Sequence, residues 1–193
     1  MTYKLFLGSG SPRRVALLKQ MGVVFEQRVL AIEEIYPQEL NGVEITDFLA
    51  RLKGKSHQQQ LQQNELVLTA DTLVWLDDAA LGKPIDEAHA IEMLSKLSGK
   101  THEVITSVCL STNETQTCIQ ETTQVSMAVL SKADITHYAK THKPFDKAGG
   151  YGIQDWIGLI GVSKIAGSYT NVVGLPTAKT YQLLLPYLPS IKA

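Results

Sequence analysis

The apolar residues of this sequence fall into short runs separated by polar turns, a pattern typical of β-strands. The runs predict strands at residues 3–7, 23–30, 66–75, 101–110 and 117–129, and a strand pair near residues 157–173. The polar residues Thr69, Asp71 and Thr72 are expected to interrupt the strand at residues 66–75. Polar groups inside an apolar strand require partners, so this interruption is a candidate functional position.

Other segments carry apolar residues at helical spacing between recognisable start and stop signals. Ser11 and Pro12 begin one predicted helix, and Gly22 ends it. Asp86 and Gly99 enclose another. Further helices are predicted around residues 45–52, over residues 132–141 and from residue 176 onward.

The order of these elements predicts the fold class. Helices and strands alternate in the first half of the chain, whereas hairpins dominate the middle. We therefore expect an α/β fold of mixed α+β character, in which helices flank a long mixed β-sheet. No repeat or linker divides the sequence, so residues 1–193 are expected to form a single domain.

The two cysteines lie in a predicted hairpin. If the chain turns between Asn113 and Glu114, Cys109 and Cys118 face each other, because antiparallel partners have a constant sum of residue numbers. Neither cysteine belongs to a CxxC motif or a Cys/His cluster. We expect both to be free thiols in the cell.

Composition and charge narrow the classes of function. Hydrophobic residues make up 44% of the 193 residues and charged residues 19%, as in an ordinary globular protein. The formal net charge of −1 provides no general field for holding a nucleic-acid polymer. Neither a secretory signal nor an apolar run of membrane-spanning length is present, so we expect a cytoplasmic protein that does not bind membranes.

A metal site, if the protein has one, is expected to use carboxylate ligands. The five histidines and two cysteines show none of the spacings of zinc sites, which leaves Mg²⁺ or Mn²⁺ as the favoured ions. Asp71 is a candidate ligand, because an unpaired carboxylate in an apolar strand is costly unless it meets a cation. Taken alone, Asp71 is equally consistent with an edge position that faces water.

Residues 8–14 place a glycine-containing turn at the start of a predicted helix. Free backbone N–H groups at such a position bind phosphate, and Arg13 and Arg14 add bidentate donors for phosphate oxygens. The segment does not match the Walker pattern. A capped helix with two exposed arginines is the alternative interpretation of this segment alone.

Three other segments are suggestive but weaker. Residues 82–84 hold Lys83 between a glycine and a proline, and residues 146–154 form a glycine-rich loop that permits close approach of a ligand. Glu34 lies in a predicted loop, and Lys53 lies on a predicted helix. Alone, residues 82–84 and 146–154 could each be a simple turn, whereas Glu34 and Lys53 are more typical of a solvated surface.

Together, these segments resemble the Maf family, in the same order and over nearly the whole chain. The matching motifs are LGSGSPRR at residues 7–14, EE at 33–34, ADT at 70–72, GKP at 82–84, LSG at 97–99, DKAG and YGIQ within 146–154, and VGLP at 173–176. The resemblance implies a fold similar to the inosine-triphosphate pyrophosphatases, with two lobes around a nucleotide cleft. It also implies hydrolysis of a nucleoside triphosphate to the monophosphate and pyrophosphate.

The resemblance assigns roles to individual residues. Asp71 is expected to be catalytic, by orienting or deprotonating a metal-polarised water, and to share a Mg²⁺ or Mn²⁺ ion with Glu34. The residues expected to bind phosphate are Ser9, Arg13, Arg14, Lys53 and Lys83. Lys55 is the alternative to Lys53. We favour Lys53, because Lys53 lies next to the apolar face of its helix.

The resemblance also predicts the substrate and suggests two alternative functions. Arg13, Thr72 and Gln154 match the branch that acts on dTTP and UTP rather than the branch that acts on 7-methyl-GTP. Housecleaning of modified pyrimidine nucleotides and a nucleotide-binding regulator of cell division with little turnover are the alternatives. A homodimer is expected. The sequence departs from the family pattern at Gly8, which is usually Ala, and at Thr69, which is often Gly.

Overall fold

The computed structural model describes residues 2–192. Its strands are β1 (Lys4–Leu7), β2 (Glu26–Gln27), β3 (Glu65–Leu76), β4 (Ala79–Leu81), β5 (Thr101–Ser111), β6 (Gln116–Met127) and β7 (Val162–Ala166). Its helices are α1 (Pro12–Gln20), α2 (Val43–Gln58), α3 (Glu87–Leu97), α4 (Lys132–His142), α5 (Trp156–Gly161), α6 (Tyr169–Val173), α7 (Thr177–Leu184) and α8 (Leu188–Ile191). No helix within these residues is long and apolar enough to cross a membrane.

All seven strands of the described chain belong to one sheet, in the order β2, β1, β3, β5, β6, β7, with β4 beside β3. β1 runs parallel to β2 and to β3, whereas the remaining pairs are antiparallel. α2 packs against β3 and β5, and α1, α7 and α8 contribute to the core beside β1. The predicted mixed sheet flanked by helices is confirmed.

The helix signals of the sequence are confirmed at both ends. The Ser11 side chain caps α1 by accepting from the amide of Arg14, and Asp86 caps α3 by accepting from the amide of His89 at 2.8 Å. Gly22 and Gly99, which follow these helices, have φ angles of 70° and 73°. Glycine reaches this left-handed conformation without steric cost, so both helices end where the sequence predicts.

β3 runs without a break through its polar residues, so the predicted interruption is wrong. The backbones of Thr69 and Asp71 both pair with β5. The buried Thr69 hydroxyl donates to the carbonyl oxygen of Ala50 at 2.8 Å. A strand tolerates polar side chains when each finds a partner, because the ladder bonds involve only the backbone.

Two other predicted strand regions are wrong. β2 covers only two residues instead of 23–30. Before it, the amide of Val24 donates to the carbonyl oxygen of Ile191 at the C-terminal end of α8, at 2.6 Å. Residues 157–173 contain α5, β7 and α6 in place of a strand pair. Short apolar runs are compatible with a helix or a strand, and here tertiary packing determined which one formed.

The predicted position of the cysteines is correct, but their predicted chemical state is wrong. Cys109 on β5 lies directly opposite Cys118 on β6, as the turn between the strands requires. Their Cα atoms are 4.1 Å apart, and the two sulfurs form a disulfide. Directly opposed residues of an antiparallel pair bring their side chains together. The predicted register therefore also placed the two cysteine side chains close enough to form a disulfide.

The two largest clusters of buried side chains meet along β3 and β5. Leu68 and Val108 belong to a core that includes residues of α1, α7 and α8. Val74 and Val104 belong to a second core that includes residues of α3, α4 and α5. Asp71 lies on β3 between these two groups. The polar middle of the strand therefore marks the boundary between the two predicted lobes.

Candidate active site

A cleft with a volume of about 600 Å³ lies over the middle of β3, a size that suits a small-molecule ligand. The residues with sequence-predicted roles all line it, namely Ser9, Arg13, Arg14, Glu34, Lys53, Asp71, Thr72, Lys83 and Gln154. Lys55, the alternative to Lys53, is exposed and lies outside this lining. The fold thus brings together residues from five separate motifs.

Lys53 links the two candidate metal ligands. Its Nζ lies 2.7 Å from Asp71 Oδ1 and 2.8 Å from Glu34 Oε1. Lys83 Nζ lies 3.8 Å from the other carboxylate oxygen of Glu34. Because α2 packs against β3, a lysine on the helix reaches an aspartate on the strand. The two carboxylates therefore converge on a single positive charge.

The two carboxylates differ in pKa. Burial is the largest influence on Asp71 and raises its pKa above the usual value, although the charges of Lys53 and Arg14 oppose this shift. Burial also favours the protonated form of Glu34, but the hydrogen bond and charge of Lys53, with smaller contributions from nearby cations, lower its pKa overall. A raised pKa brings the Asp71 carboxylate closer to the range needed to accept a proton from water.

Ser9 presents a donor at the start of α1. Its Oγ accepts from the amide of Ser11 at 3.3 Å and from Arg14 Nη1 at 3.1 Å. A hydroxyl group has one proton and two lone pairs, so the Ser9 proton remains to be donated to a ligand. The adjoining N-terminus of α1 favours anions through the helix dipole. This corner of the cleft is suited to a phosphate group.

Arg13 contacts the glycine-rich loop. Its Nη1 donates to Asp146 Oδ2 at 2.6 Å, and its Nη2 donates to the Asp146 carbonyl oxygen at 3.2 Å. Lys147 Nζ donates to the other carboxylate oxygen of Asp146 at 2.9 Å. Burial favours the protonated form of Asp146, but the hydrogen bonds from Lys147 and Arg13 lower its pKa. Arg13 is therefore held against the loop that carries Gln154.

Arg14 directs all three of its guanidinium nitrogens at protein oxygens. Nε donates to the carbonyl oxygen of Gly174 at 2.9 Å. Nη1 donates to the carbonyl oxygen of Ala70 at 2.8 Å and also to Ser9 Oγ, while Nη2 donates to Thr72 Oγ1 at 3.0 Å. These bonds join the first turn of α1 to the preceding Ser9, to β3 and to the residue after α6. They leave few donors for the phosphate contact predicted for Arg14 from the sequence.

Thr72 and Gln154, the two remaining candidate specificity residues, differ in whether their side chains form hydrogen bonds within the protein. Thr72 Oγ1 accepts from Arg14 and lies 3.0 Å from Thr106 Oγ1. Gln154 is exposed in the cleft wall, and among residues 2–192 its side-chain amide has no hydrogen-bond partner. The amide of Gln154 is thus available to a ligand.

Sequence reasoning missed the residues that hold the glycine-rich loop in place. The Tyr138 hydroxyl donates to Asp155 Oδ2 at 2.7 Å and accepts from the amide of Gly152 at 3.2 Å. Asp146 and Lys147 are part of the glycine-rich motif, so a signal for them existed. Tyr138 gave none, because a buried aromatic residue on an amphipathic helix is usually a core residue.

Glu34 and Asp71 are the carboxylates that a divalent cation in this cleft would meet. Within residues 2–192, no group of three or more His, Cys, Asp and Glu residues is arranged to hold a metal. Glu34 and Asp71 nevertheless converge on one point, which Lys53 Nζ takes in this structure. Mg²⁺ is commonly bound by one or two carboxylates together with substrate phosphates. The pair therefore fits an ion that arrives with a nucleotide, provided that Lys53 moves.

Gly8 and Thr69 are matched in size beside the cleft. A Cβ atom on Gly8 would lie 2.8 Å from Thr69 Cγ2 and 2.8 Å from Nε2 of the buried His57. Both distances are shorter than van der Waals contact, so a side chain at position 8 would clash with the Thr69 methyl group and with the His57 ring.

Gly8→Ala is expected to lower the free energy of unfolding by about 1–3 kcal/mol, the usual cost of overpacking. Thr69→Ser removes the clashing methyl group and keeps the hydroxyl that donates to Ala50. The double variant is therefore expected to lose less stability than the sum of the two single variants. Urea unfolding of all four proteins measures this difference, and strictly additive free energies would contradict the clash.

A helix N-terminus, a carboxylate pair and a set of cationic side chains meet in one cleft between two cores. This arrangement defines an α/β protein that binds a phosphorylated small molecule. The sequence model of the family described as Maf-like protein matches residues 4–186. The chain belongs to this family.

Three similar proteins share the same name. A dTTP/UTP pyrophosphatase of Flavobacterium psychrophilum is 56% identical over 182 residues, which cover 94% of this chain and 93% of the relative. Proteins of the same name from Flavobacterium johnsoniae and Bacteroides fragilis are 50% and 48% identical and cover 94% of this chain, and 94% and 95% of the relatives. A solved dITP/XTP pyrophosphatase from Mycobacterium abscessus is 15% identical, with a TM-score of 0.49 and 96% of each chain covered.

Proposed function

We propose that this protein hydrolyses dTTP and UTP to the nucleoside monophosphate and pyrophosphate. The observation that carries the proposal is the convergence of Asp71 and Glu34 on Lys53, in a cleft that begins at the N-terminus of α1. Such a set suits a polyphosphate with its metal and supplies a base for water. The pyrimidine substrates follow from the names of the relatives.

The cleft residues divide the reaction among them. Asp71 accepts a proton from the water whose oxygen attacks the α-phosphorus, and its raised pKa suits it to this role. The bond from the α-phosphorus to the bridging oxygen breaks, and pyrophosphate leaves with the electron pair. The cationic side chains of Arg13, Arg14, Lys53 and Lys83 offset the negative charge of the phosphates, and the Ser9 hydroxyl donates a hydrogen bond to them. Positioning and electrostatics supply most of the acceleration.

Glu34 and Asp71 are the residues that would hold a Mg²⁺ or Mn²⁺ ion. The chemistry that such an ion supplies is polarisation of water and neutralisation of phosphate charge. Lys53 now bonds to both carboxylates, so it must exchange those contacts for a phosphate oxygen when the ion is bound.

Three further expectations stay predictions. The cytoplasmic location was inferred from the sequence, whereas a homodimeric state and turnover of modified pyrimidine nucleotides rest on the family resemblance. A nucleotide-binding regulator with little turnover would not need the charged residues of the reaction. Glu34, Lys53, Asp71 and Lys83 all face one cleft, which favours the enzyme.

The test is a panel of nucleoside triphosphates with Mg²⁺, scored for phosphate with and without added inorganic pyrophosphatase. We expect phosphate from dTTP and UTP only when pyrophosphatase is present, because the released product is pyrophosphate. Their kcat/KM values should exceed those of ATP and GTP by at least about tenfold. Phosphate release without added pyrophosphatase would contradict cleavage at the α-phosphorus. Tight binding without turnover would favour the regulator instead.

A further inference from the structure

The glycine-rich loop closes into a tight turn around Gln154. The amide of Asp155 donates to the carbonyl oxygen of Gly152 at 3.0 Å, so Gln154 lies inside a hydrogen-bonded turn of residues 152–155. A Cβ atom on Gly152 would lie 2.6 Å from Asp155 Oδ2 and 2.9 Å from Gln154 Nε2. The side chains of Gln154 and Asp155 therefore both fold back over Gly152, and only a glycine leaves room for them.

One side chain from outside the loop holds both ends of the 152–155 turn. The Tyr138 hydroxyl on α4 accepts from the amide of Gly152 at 3.2 Å and donates to Asp155 Oδ2 at 2.7 Å. Burial and the bond to Asp155 raise the pKa of Tyr138, so the hydroxyl keeps its proton at neutral pH. Tyr138 is 0% exposed, and its ring stacks on His142 with the centroids 4.7 Å apart. The first and last residues of the turn are therefore attached to a rigid group.

Asp155 gives up a local role to make this bond. It is the residue that precedes α5, a position where an aspartate side chain commonly caps the helix by accepting from a backbone amide. The Asp155 side chain makes no such bond. Its Oδ2 instead accepts from Tyr138 and lies 3.6 Å from Lys147 Nζ. The carboxylate therefore stabilises the turn rather than the helix.

The 152–155 turn connects these buried contacts to the cleft. Gly152 and Gln154 line the cleft, whereas Tyr138 and Asp155 do not. We propose that Tyr138 and Asp155 are positioning residues for nucleotide binding, which hold the turn so that the Gln154 amide stays at the cleft wall. This inference rests on the proposed function and deepens it.

The expected effect is on binding rather than on the chemical step. Within residues 2–192, the ion pairs of Asp71, Glu34 and Lys53 join these residues to one another and to Lys83, not to the turn. A loosened turn leaves them in place but lets the Gln154 amide move away from the base. The nucleotide is then held less tightly in the ground state and the transition state alike. A loss of that kind raises KM and leaves kcat nearly unchanged.

The test is steady-state kinetics with dTTP and UTP for Tyr138→Phe, which removes the hydroxyl and keeps the buried ring. KM is expected to rise about tenfold and kcat to stay within about twofold, because a buried amide and a carboxylate lose their partner. Inorganic triphosphate, which has no base, should inhibit the variant and the native enzyme with the same Ki. Tyr181→Phe is the matched control and should keep the native KM, since the Tyr181 hydroxyl has no partner within residues 2–192 and lies outside the cleft lining.

Variants of Asp155 remove the other side of the same bond. Asp155→Ala should raise KM by a similar factor, and the double variant with Tyr138→Phe should have a KM no higher than either single variant. Asp155→Asn keeps an oxygen that can accept from Tyr138, so its KM should stay within about threefold of the native value. If circular dichroism shows that Tyr138→Phe does not fold, Asp155→Ala and Asp155→Asn make the same comparison at a partly exposed position.

Four outcomes would overturn the positioning role. They are an unchanged KM in Tyr138→Phe, a loss confined to kcat, a Ki for inorganic triphosphate that rises as much as KM, and a double variant whose KM rises by the product of the two single effects. These results contradict the inference and leave the proposed function standing. If the native protein hydrolyses neither dTTP nor UTP, the proposed function fails and takes this inference with it.

Discussion

Asp71→Asn is expected to lower kcat by about 10²–10⁴-fold while leaving the fold intact. The side chain is buried, and Lys53 Nζ lies 2.7 Å from its carboxylate. An amide keeps the size of this group but neither accepts a proton at neutral pH nor binds a divalent cation strongly. Both roles proposed for Asp71 therefore disappear together. The loss should appear in kcat, because the charge acts on the reacting water.

Steady-state kinetics with dTTP and UTP, combined with circular dichroism and urea unfolding, separate loss of chemistry from loss of fold. Asp78→Asn is a matched control, because Asp78 is exposed and has a φ of 58°, a conformation that asparagine also adopts readily. The control should keep kcat within about twofold. Retention of more than about a tenth of the native kcat in Asp71→Asn would remove Asp71 from its assigned role.

Gln154→Glu is expected to weaken dTTP and UTP relative to guanine substrates by roughly one to two orders of magnitude. Thymine and uracil present an N3–H donor beside the O4 acceptor, and one primary amide can accept from the first and donate to the second. A carboxylate only accepts, which suits the N1–H and N2 amine edge of guanine. The Gln154 amide lies in the cleft wall, where the base would meet it.

The measurement is kcat/KM for dTTP, UTP, GTP and 7-methyl-GTP in the native protein and in the variant. Gln63→Glu makes the same change of charge at an exposed position outside the cleft lining, and its ranking of substrates should match the native one. An unchanged ranking in Gln154→Glu would show that this residue does not read the base. Native preference for 7-methyl-GTP would contradict the dTTP/UTP assignment itself.

The elements that the sequence predicted well are those whose signals are local. Ser11 and Asp86 accept bonds from amides three residues away, so a short string of letters contains the whole cap. The β5–β6 register follows from its turn in the same way, which is why Cys109 was correctly placed opposite Cys118. Disulfide formation is a chemical step that register permits but does not dictate, and there the prediction was wrong.

The residues that line the cleft could be predicted from the sequence, because they occur in ordered motifs, each with a local chemical character. The contacts among them could not, because they join residues far apart in the chain. Lys53 meets Asp71 only because α2 packs across β3, and Arg14 reaches Gly174 only because the start of α1 lies against the end of α6. The sequence therefore determined which groups the cleft contains. Tertiary packing decided which of them bond to each other, since that depends on the relative placement of helices and sheet, which no local pattern encodes.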